Sequence, residues 1–324
     1  MIDPASSTVL VTGGSGFIGT NLVAKLRSEG VAVVNIDRSA PLDDAQEDSW
    51  IHGDVEDLSA LQQVFADHHP THVVHLAARV DIRGLTVGEY PTNTLGTANV
   101  LKAADAHGSI ERLIVTSTQF VRRPGSSSPA GEYDPHTAYG ESKVEAEELT
   151  RQTDLPWMIV RPTTIWGPHD LLYRETLYKT LDRGLYLHPG NITCHRSMGF
   201  VGNVVQQMVE LMGADRPLVV GKTFYVGDPV VNLIEFVDAF ALEITGRPAR
   251  TVPAGVIKTL AVGGSALRAI GLPAPITLSR YRSMVEDYVV PLDPTYDVTG
   301  DPPYSLEDGV ATTVSWLRAA GVIK

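Results

Sequence analysis

The chain has 324 residues, of which 43% are hydrophobic and 20% charged, and its formal net charge is −12. This length suits one large α/β domain or a nucleotide-binding core with a smaller lobe, and the acidic balance argues against a nucleic-acid partner. Cys194 is the single cysteine, which excludes an internal disulfide and a metal cluster of several thiolates. The first residues lack the pattern of a signal peptide, and no run of about 18 apolar residues is present to span a bilayer. We therefore expect a cytoplasmic protein without a membrane partner.

The first half of the chain alternates short apolar segments with amphipathic ones. Strands are predicted at residues 8–14, 31–37, 50–55, 71–78, 112–119 and 156–162, and helices at 21–30, 58–68, 92–108 and 139–152. Apolar strands separated by helices indicate a parallel sheet covered on both faces, and right-handed crossovers then give a doubly wound Rossmann fold of the α/β class. Residues 122–136 form a turn-rich loop, long enough to be mobile or functional.

After about residue 167 the alternation becomes irregular. Helices are predicted at 200–212, 232–246 and 305–321, and a strand at 222–228. Ser305 and Asp308 resemble a capping box at the start of the last helix. We expect a Rossmann domain over 1–167, with segments near 200–230 returning to it, and a smaller C-terminal lobe over most of 168–324.

The segment TGGSGFIG, residues 12–19, follows the first predicted strand and opens a helix. Glycine is needed there because a Cβ would block a tight turn and the close approach of the backbone to a phosphate, while a helix N-terminus offers free N–H groups to a pyrophosphate. A lone glycine-rich run is often a mere turn, but this context favours a dinucleotide site. Its candidate cofactor residues are Gly13, Gly16, Phe17, Ile18 and Gly19.

Two carboxylates follow the next strands. Asp37 ends the second strand, where it can accept hydrogen bonds from an adenosine ribose and would repel a 2′-phosphate, which favours NAD over NADP. Arg38 complicates this preference, because a guanidinium can neutralise such a phosphate. Asp54, followed by Val55, ends the third strand and is a candidate for contact with the adenine. Each carboxylate also has a simpler interpretation, as a strand-end cap or a turn residue.

Tyr139 and Lys143 are spaced i, i+4 in AYGESK, so they project from the same helix face. A lysine beside a phenol stabilises the phenolate and lowers its pKa from about 10, so that the tyrosine can exchange protons with an alcohol oxygen. Ser117 and Thr118, at the end of the preceding strand, can hydrogen-bond the same oxygen. A surface helix is the simpler interpretation of the pair, but its position after the fifth strand of a dinucleotide fold favours acid/base chemistry.

Five motifs give the chain a resemblance to a known family: TGGSGFIG, HLAA (75–78), VTST (115–118), YGESK (139–143) and RPTTIWGP (161–168). Their order and spacing resemble those of the extended short-chain dehydrogenase/reductases, and more narrowly of the NAD-dependent epimerase/dehydratase family acting on nucleotide sugars. The resemblance covers almost the whole chain, most strongly residues 8–168. It implies that 1–167 binds NAD, that the C-terminal lobe binds substrate, and that the protein forms a homodimer through the helices at 92–108 and 139–152.

The resemblance also implies roles for single residues. Thr118, Tyr139 and Lys143 match the catalytic triad of the family. Leu76, Ala77 and Ala78 match a segment lying along the cofactor, and Pro162 matches a residue flanking the nicotinamide. Arg196 lies where relatives bind the diphosphate of the sugar nucleotide, although it is also credible as a surface arginine. Arg280, or Arg282, is a candidate for a second phosphate contact, and Arg79 is a further candidate substrate residue.

The sequence departs from the family pattern just after Thr118. Gln119 and Phe120 stand where the 4,6-dehydratase branch carries an Asp-Glu pair for elimination of water, which argues against a dehydratase. Arg122 and Arg123 replace a Tyr-Gly found in many relatives, and they face either substrate or solvent. The histidines show no metal-ligand spacing, so no metal is expected, and His75 is predicted to be a core strand residue.

Three functions remain open at this stage. The leading hypothesis is an NAD-dependent enzyme that acts on a nucleotide-activated sugar through a 4-keto intermediate, as a 4-epimerase or a 4-ketoreductase. The second is a reductase of a non-nucleotide ketone, steroid-like or flavonoid-like, because the apolar region 253–282 can line a greasy pocket or form a lid. The third is a non-catalytic NAD-binding regulator, against which the intact triad argues.

Overall fold

The computed structural model describes residues 2–126, 132–269, 271–272, 274 and 276–324. Its strands are β1 (Thr8–Thr12), β2 (Ala32–Asp37), β3 (Trp50–His52), β4 (His72–His75), β5 (Arg112–Thr116), β6 (Trp157–Pro162), β7 (Thr164–Trp166), β8 (Leu187–Gly190), β9 (His195–Arg196), β10 (Met198–Phe200), β11 (Thr223–Val226), β12 (Val231–Asn232) and β13 (Arg250–Pro253). Its helices are α1 (Phe17–Ser28), α2 (Leu58–His68), α3 (Pro91–His107), α4 (Ala138–Arg151), α5 (Lys179–Asp182), α6 (Val201–Gly213), α7 (Arg216–Val219), α8 (Leu233–Thr245), α9 (Ala254–Ala269), α10 (Leu278–Val285), α11 (Asp293–Thr299) and α12 (Leu306–Ala319).

The described chain divides into two compact units. Unit 1 comprises the chain up to Ile165 together with Val201–Asp228 and Val290–Pro303, and unit 2 comprises Trp166–Phe200, Pro229–Val289 and Tyr304–Lys324. Part of the predicted loop at 122–136, residues 127–131, lies outside the described residues, as do three positions of the apolar region 253–282.

Unit 1 contains a seven-stranded parallel sheet in the order β11-β6-β5-β4-β1-β2-β3. The chain starts in the centre and winds outward in both directions, which confirms the predicted doubly wound Rossmann fold. A crevice for ligands is expected at the carboxyl ends of β1 and β4, where the winding direction reverses.

The strands of unit 1 are apolar on both faces because helices cover both. Leu10, Val73 and Leu113 point to one face, where they pack against side chains of α2 and α3 such as Phe65 and Val100. Val9 and Val11, which alternate with Leu10 along β1, are fully buried as well. Two apolar layers therefore fix the register of each strand. The loops that follow the strands consequently start at fixed positions.

Local sequence sets the helix boundaries. Thr137 caps α4 by accepting a hydrogen bond from Gly140 N at 3.0 Å, so that Tyr139 lies in the first turn. The capping box predicted for α12 is confirmed, with Asp308 N donating to Ser305 Oγ at 3.1 Å and Ser305 N donating to Asp308 Oδ2 at 3.0 Å. Helix α1 starts at Phe17, four residues before the predicted start, because the helix follows directly on the glycine turn.

Unit 2 is built from short strands and helices around an aromatic core. Strand β13 pairs with β8 in parallel, and β12 pairs with β9 antiparallel. The rings of Trp166, Phe236 and Phe240 are fully buried, with Trp166 centred 5.3 Å from each of the other two. Within the described ranges, no helix combines the length and the apolar character needed to cross a membrane.

Candidate active site

The glycine turn after β1 is closed tightly against the segment that follows β4. Gly13 has φ +75°, and a Cβ on it would lie 2.6 Å from Ala77 N. A Cβ on Gly19 would overlap the Gly13 carbonyl oxygen, so helix and turn also need glycine where they meet. The N-cap residue of helix α1 is Gly16, so no side-chain cap is present at its start. Its first N–H groups are thus not taken up by a capping side chain, which is the arrangement that binds a pyrophosphate in this fold.

Asp37 connects the end of β2 to the glycine turn. Its carboxylate accepts hydrogen bonds from Ser15 N at 3.1 Å and from Ser39 N at 2.9 Å, so Asp37 is a cap, as its simpler interpretation proposed. Each oxygen keeps a lone pair, which leaves it able to accept a ribose hydroxyl as well. The guanidinium of Arg38 lies 3.5 Å from the carboxylate of Asp54, an exposed pair of little energetic weight.

The predicted cofactor residues end the parallel strands of unit 1 on one edge of the sheet. Leu76 N donates to Thr12 O at 2.9 Å and Ser117 N donates to Val160 O at 2.7 Å, which fixes both segments against neighbouring strands. Val55 is buried and packs against Gly96 of α3. The residues that follow or close β1 to β6 at this edge are Gly13, Asp37, Asp54, Val55, Leu76, Ala77, Ala78, Ser117 and Pro162.

Tyr139 lies in an aromatic pocket of unit 1. Its side chain is only 7% exposed, and its ring centre lies 6.1 Å from that of Tyr90 and 6.2 Å from that of Phe120. Burial raises the pKa of Tyr139 to about 12, while a hydrogen bond with the Thr118 side chain works in the opposite direction. The phenol is thus neutral at physiological pH, and Thr118 is the group that favours its ionised form.

Lys143, one turn along α4, is 2% exposed and donates from Nζ to the Thr116 carbonyl oxygen at 2.8 Å. Burial lowers the pKa of Lys143 to about 8, although the negative charge of Glu147 opposes this shift. The expectation that Lys143 lowers the pKa of Tyr139 is wrong in this geometry, because burial of the phenol outweighs every favourable contact. The structure thus brings the three triad residues together without an acidic tyrosine.

Asn93 of α3 ties the segment after β4 to α4, a role that sequence reasoning missed. Asn93 Oδ1 accepts from Arg79 N at 2.8 Å, and Asn93 Nδ2 donates to Arg79 O at 3.0 Å and to Ser142 Oγ at 2.9 Å. Ser142 Oγ in turn donates to Tyr139 O at 2.7 Å. A fully buried amide with these partners fixes the backbone of Tyr139 relative to the strand edge.

His75 forms a second buried polar contact, in β4 as predicted. Its Nδ1 lies 2.7 Å from Thr12 Oγ1 and its Nε2 lies 2.9 Å from Thr97 Oγ1. Because Thr97 Oγ1 donates its proton to Asn93 O, we assign the proton of the ring to Nε2, with Thr12 donating to Nδ1. Burial lowers the pKa of His75 to about 3, so the ring is neutral and serves as a fixed link between β1, β4 and α3.

Glu147 extends the same face of α4 by one more turn and was also missed. It is fully buried and accepts from Arg161 Nε and Nη2, both at 2.8 Å, and from the Tyr133 hydroxyl at 2.9 Å. Burial disfavours its charge, but the hydrogen bonds and charge of Arg161 hold its pKa below the usual range. The signal in the sequence was a second i, i+4 step, from Lys143 to Glu147, ending on a charged residue.

The predicted substrate residues have partners within their own units. Arg79 donates from Nε to Asp81 Oδ2 at 2.8 Å and lies 4.8 Å from the ring centre of Tyr90. In unit 2, Arg280 donates to Thr176 O at 3.2 Å and Arg196 donates to the Ser283 carbonyl oxygen. Of the two arginines that depart from the family pattern, Arg123 pairs with Asp134 at 2.8 Å.

Over the part of the chain that the structure describes, no group of three or more His, Cys, Asp or Glu side chains is arranged to hold a metal ion.

Comparison with known proteins finds relatives that match more than half of this chain. The chain is 32% identical over 216 residues to an N-acetyl-alpha-D-glucosaminyl-diphospho-ditrans,octacis-undecaprenol 4-epimerase of Escherichia coli O157:H7, which covers 62% of each protein. It is 31% identical over 237 residues to a UDP-glucose 4-epimerase of Vibrio cholerae, covering 68% of this chain and 70% of that protein. The match therefore spans less than two thirds of the length of the first relative.

A solved structure and a family model also match this chain. The structure of MoeE5 in complex with UDP-glucuronic acid and NAD superposes with a TM-score of 0.72 at 26% identity, covering 97% of this chain and all of that one. The family described as "NAD dependent epimerase/dehydratase family" matches residues 9–227, which include the glycine turn, Asp37 and the Thr118, Tyr139 and Lys143 triad. The chain therefore belongs to the NAD-dependent epimerase/dehydratase family.

Proposed function

We propose that this protein is an NAD-dependent enzyme that oxidises and reduces C4 of a nucleotide-activated sugar, as a 4-epimerase or a 4-ketoreductase. The observation that carries the proposal is the buried contact of Thr118 with Tyr139 beside Lys143, on the sheet edge that also carries the glycine turn. The named relatives support it, since one acts on UDP-glucose and MoeE5 binds UDP-glucuronic acid and NAD.

The residues of unit 1 fit a dinucleotide. Because Gly13 and Gly19 have no Cβ, the backbone of the turn packs closely against Ala77 and against the start of α1. The uncapped start of α1 offers N–H groups to a diphosphate. Asp37 would accept the ribose hydroxyls, and this carboxylate favours NAD because it would repel a 2′-phosphate. When bound, NAD supplies the acceptor and donor of hydride at the sugar carbon.

The protein groups handle the proton. When C4 is oxidised, the hydroxyl proton of the sugar passes to Tyr139 Oη as phenolate, and the carbon–oxygen single bond becomes a 4-keto group. In the reverse step the neutral phenol returns the proton to the keto oxygen. The hydrogen bond from the Thr118 side chain assists ionisation of Tyr139, and Lys143, held on the Thr116 carbonyl, keeps a positive charge beside the helix face that carries the phenol.

A C4-deuterated substrate tests the proposal. UDP-glucose and UDP-N-acetylglucosamine carrying deuterium at C4 are incubated with the protein and NAD, and the products are analysed by NMR. A 4-epimerase yields the C4 epimer with the deuterium retained, whereas a one-way 4-ketoreductase reduces an added UDP-4-keto sugar and consumes NADH stoichiometrically. Turnover of a steroid or flavonoid ketone, insensitive to UDP, would contradict the proposal, as would stoichiometric NAD binding without turnover of any sugar.

A second substrate class is a sugar diphosphate linked to a polyprenol, favoured by the relative from Escherichia coli O157:H7. The sugar and its diphosphate are chemically the same in both classes, so the C4 chemistry of Tyr139 is unchanged. An N-acetylglucosaminyl-diphospho-polyprenol in detergent, assayed beside UDP-N-acetylglucosamine, separates the two classes by the ratio of their kcat/KM values.

A further inference from the structure

Helix α9 of unit 2 carries aliphatic residues on its buried side and also on its exposed side. Its inner face packs through Ile257, Ala261 and Gly264, which are buried. Gly264 allows this contact, because a Cβ there would overlap the carbonyl oxygen of Ile276 in the segment leading to α10. Ser265 Oγ accepts from Leu278 N at 2.9 Å and fastens the same side. The inner face alone therefore accounts for the position of the helix in unit 2.

The side of α9 away from these buried residues carries exposed aliphatic residues, which we call the apolar stripe. Val256, Leu260, Val262 and Leu267 are each 44–52% exposed, Thr259, Gly263 and Ala266 are exposed among them, and the exposed Lys258 borders them. Leu272, just beyond the helix, is 49% exposed. A surface helix normally places charged or polar residues on its exposed side, so four exposed aliphatic residues interrupted only by Thr259 and small residues mark a binding face.

Charge is distributed unevenly around this stripe. Residues 244–285 hold six Lys or Arg and no Asp or Glu, whereas the net charge of the whole chain is −12. Lys258 and Arg268 lie on α9 itself, Arg247 and Arg250 precede it, and Arg282 lies on α10, all of them exposed. Among the described residues, none of these five forms an ion pair. Positive charges without acidic partners therefore flank the apolar stripe.

From these observations we propose that the exposed face of α9 docks on the surface of an anionic lipid bilayer. The apolar stripe enters the boundary between head groups and acyl chains, and Lys258, Arg268 and their neighbours contact lipid phosphates. A protein partner fits less well, because protein interfaces are enriched in aromatic residues and this face has none. The proposal differs from the expectation of no membrane partner, which rested on the lack of a spanning segment, and it does not depend on the proposed function.

Vesicle co-sedimentation of the full chain tests the proposal, with phosphatidylcholine vesicles and with vesicles that also contain phosphatidylglycerol. We expect sedimentation only with the anionic vesicles, and its loss at high salt. The double variant Lys258→Gln/Arg268→Gln weakens binding about 30-fold, since each basic residue contributes about 1 kcal/mol near an anionic surface. The double variant Leu260→Glu/Leu267→Glu weakens it at least about tenfold.

The matched control is Leu42→Glu/Leu218→Glu, which replaces two leucines of similar exposure in unit 1, 47% and 48% against 48% and 44% for Leu260 and Leu267. This variant binds vesicles as the parent protein does, and circular dichroism shows that all variants are folded. An equal loss of vesicle binding in both leucine double variants, or no sedimentation of the parent protein with anionic vesicles, overturns the proposal. So does a result in which Leu260→Glu/Leu267→Glu only dissociates an oligomer seen by light scattering, because the face then binds a second copy of the chain.

Discussion

Glu147 and Arg161 are joined by two hydrogen bonds of 2.8 Å in the interior of unit 1, one helical turn beyond Lys143. The pair joins α4 to β6. The negative charge of its carboxylate opposes the lowering of the Lys143 pKa that burial causes. A buried ion pair with further hydrogen bonds adds little net stability relative to apolar residues, but loss of one partner leaves an uncompensated charge. The pair therefore acts as a positioning device for the helix that carries Tyr139 and Lys143.

We expect Glu147→Gln to lower the free energy of unfolding by about 3–5 kcal/mol, because the Arg161 guanidinium is then buried without its counter-charge. Urea unfolding followed by circular dichroism measures this loss. The control is Glu148→Gln, an exposed neighbour on α4, which changes stability by less than about 0.5 kcal/mol. Equal stability of the two variants would show that Arg161 does not need the carboxylate.

Lys143 gives the protein a pH dependence on the alkaline side. Its pKa is about 8 in the folded chain and about 10.5 unfolded, so between these values the unfolded chain binds more protons. The free energy of unfolding therefore rises with pH, by about 2 kcal/mol from pH 8 to pH 10 for this group alone. We expect Lys143→Met to remove this rise and the exposed Lys222→Met to keep it, when urea unfolding is measured across the range. A Lys143→Met curve parallel to that of the parent protein would show an unshifted lysine.

Tyr139→Phe tests the proton carrier. We expect turnover on the substrate identified in the deuterium assay to fall by about 10²–10⁴-fold, because the phenol hydroxyl is the group that exchanges the proton. Binding of NAD, measured by calorimetry, stays within about threefold, since the change removes one oxygen from a buried ring that still fills its pocket. Tyr90→Phe is the matched control, a ring 6.1 Å away whose hydroxyl donates to Asp81 O at 2.7 Å. It costs about 1 kcal/mol of stability but keeps most of the activity.

The sequence was sufficient for features that depend on local pattern. Strand starts, the glycine turn and the i, i+4 spacing of Tyr139 and Lys143 follow from periodicity and from the rule that parallel strands collect their carboxyl ends on one edge. Strands β1, β3, β4 and β5 end two or three residues before their predicted ends. The start of α1 at Phe17 was missed, because the helical spacing of apolar residues was recognised only from residue 21, although the glycine motif was expected to open the helix.

Features that depend on long-range contact could not be predicted. The pKa of Tyr139 is set by how deeply Tyr90, just before α3, and Phe120, in the 3-10 turn after Thr118, bury it, and no local pattern reports burial. The partner of Glu147 lies 14 residues away on another element, and the contacts of Asn93 join three segments. The contacts of the Arg79 side chain with Asp81 and Tyr90 were not predicted either, and its role toward substrate stays a prediction.

His75 makes the fold sensitive to acid. Its pKa is about 3 in the folded chain and about 6.5 unfolded, so the unfolded chain binds more protons in between and stability falls as the pH falls below 6.5. From pH 7 to pH 5 this group lowers the free energy of unfolding by about 2 kcal/mol. We expect His75→Gln to be less stable at pH 7, because the link between Thr12 and Thr97 is weakened, yet to lose less on acidification. The exposed His52→Gln follows the parent protein, and a His75→Gln curve with the same acid slope would contradict the assignment.

Gly13 gives a test of the cofactor site that does not require knowledge of the substrate. Gly13 and Gly221 have the same φ of +75°, but a Cβ at Gly13 would lie 2.6 Å from Ala77 N, whereas nothing lies within 4 Å of one at Gly221. Both alanine variants bear the backbone strain of about 1 kcal/mol, and only Gly13→Ala also pushes the turn away from Ala77. We therefore expect NAD affinity, measured by calorimetry, to fall at least about tenfold in Gly13→Ala and to stay unchanged in Gly221→Ala. If Gly13→Ala bound NAD with parental affinity while folded, the turn after β1 would not be the pyrophosphate site, and the cofactor would have to be sought elsewhere on the sheet edge.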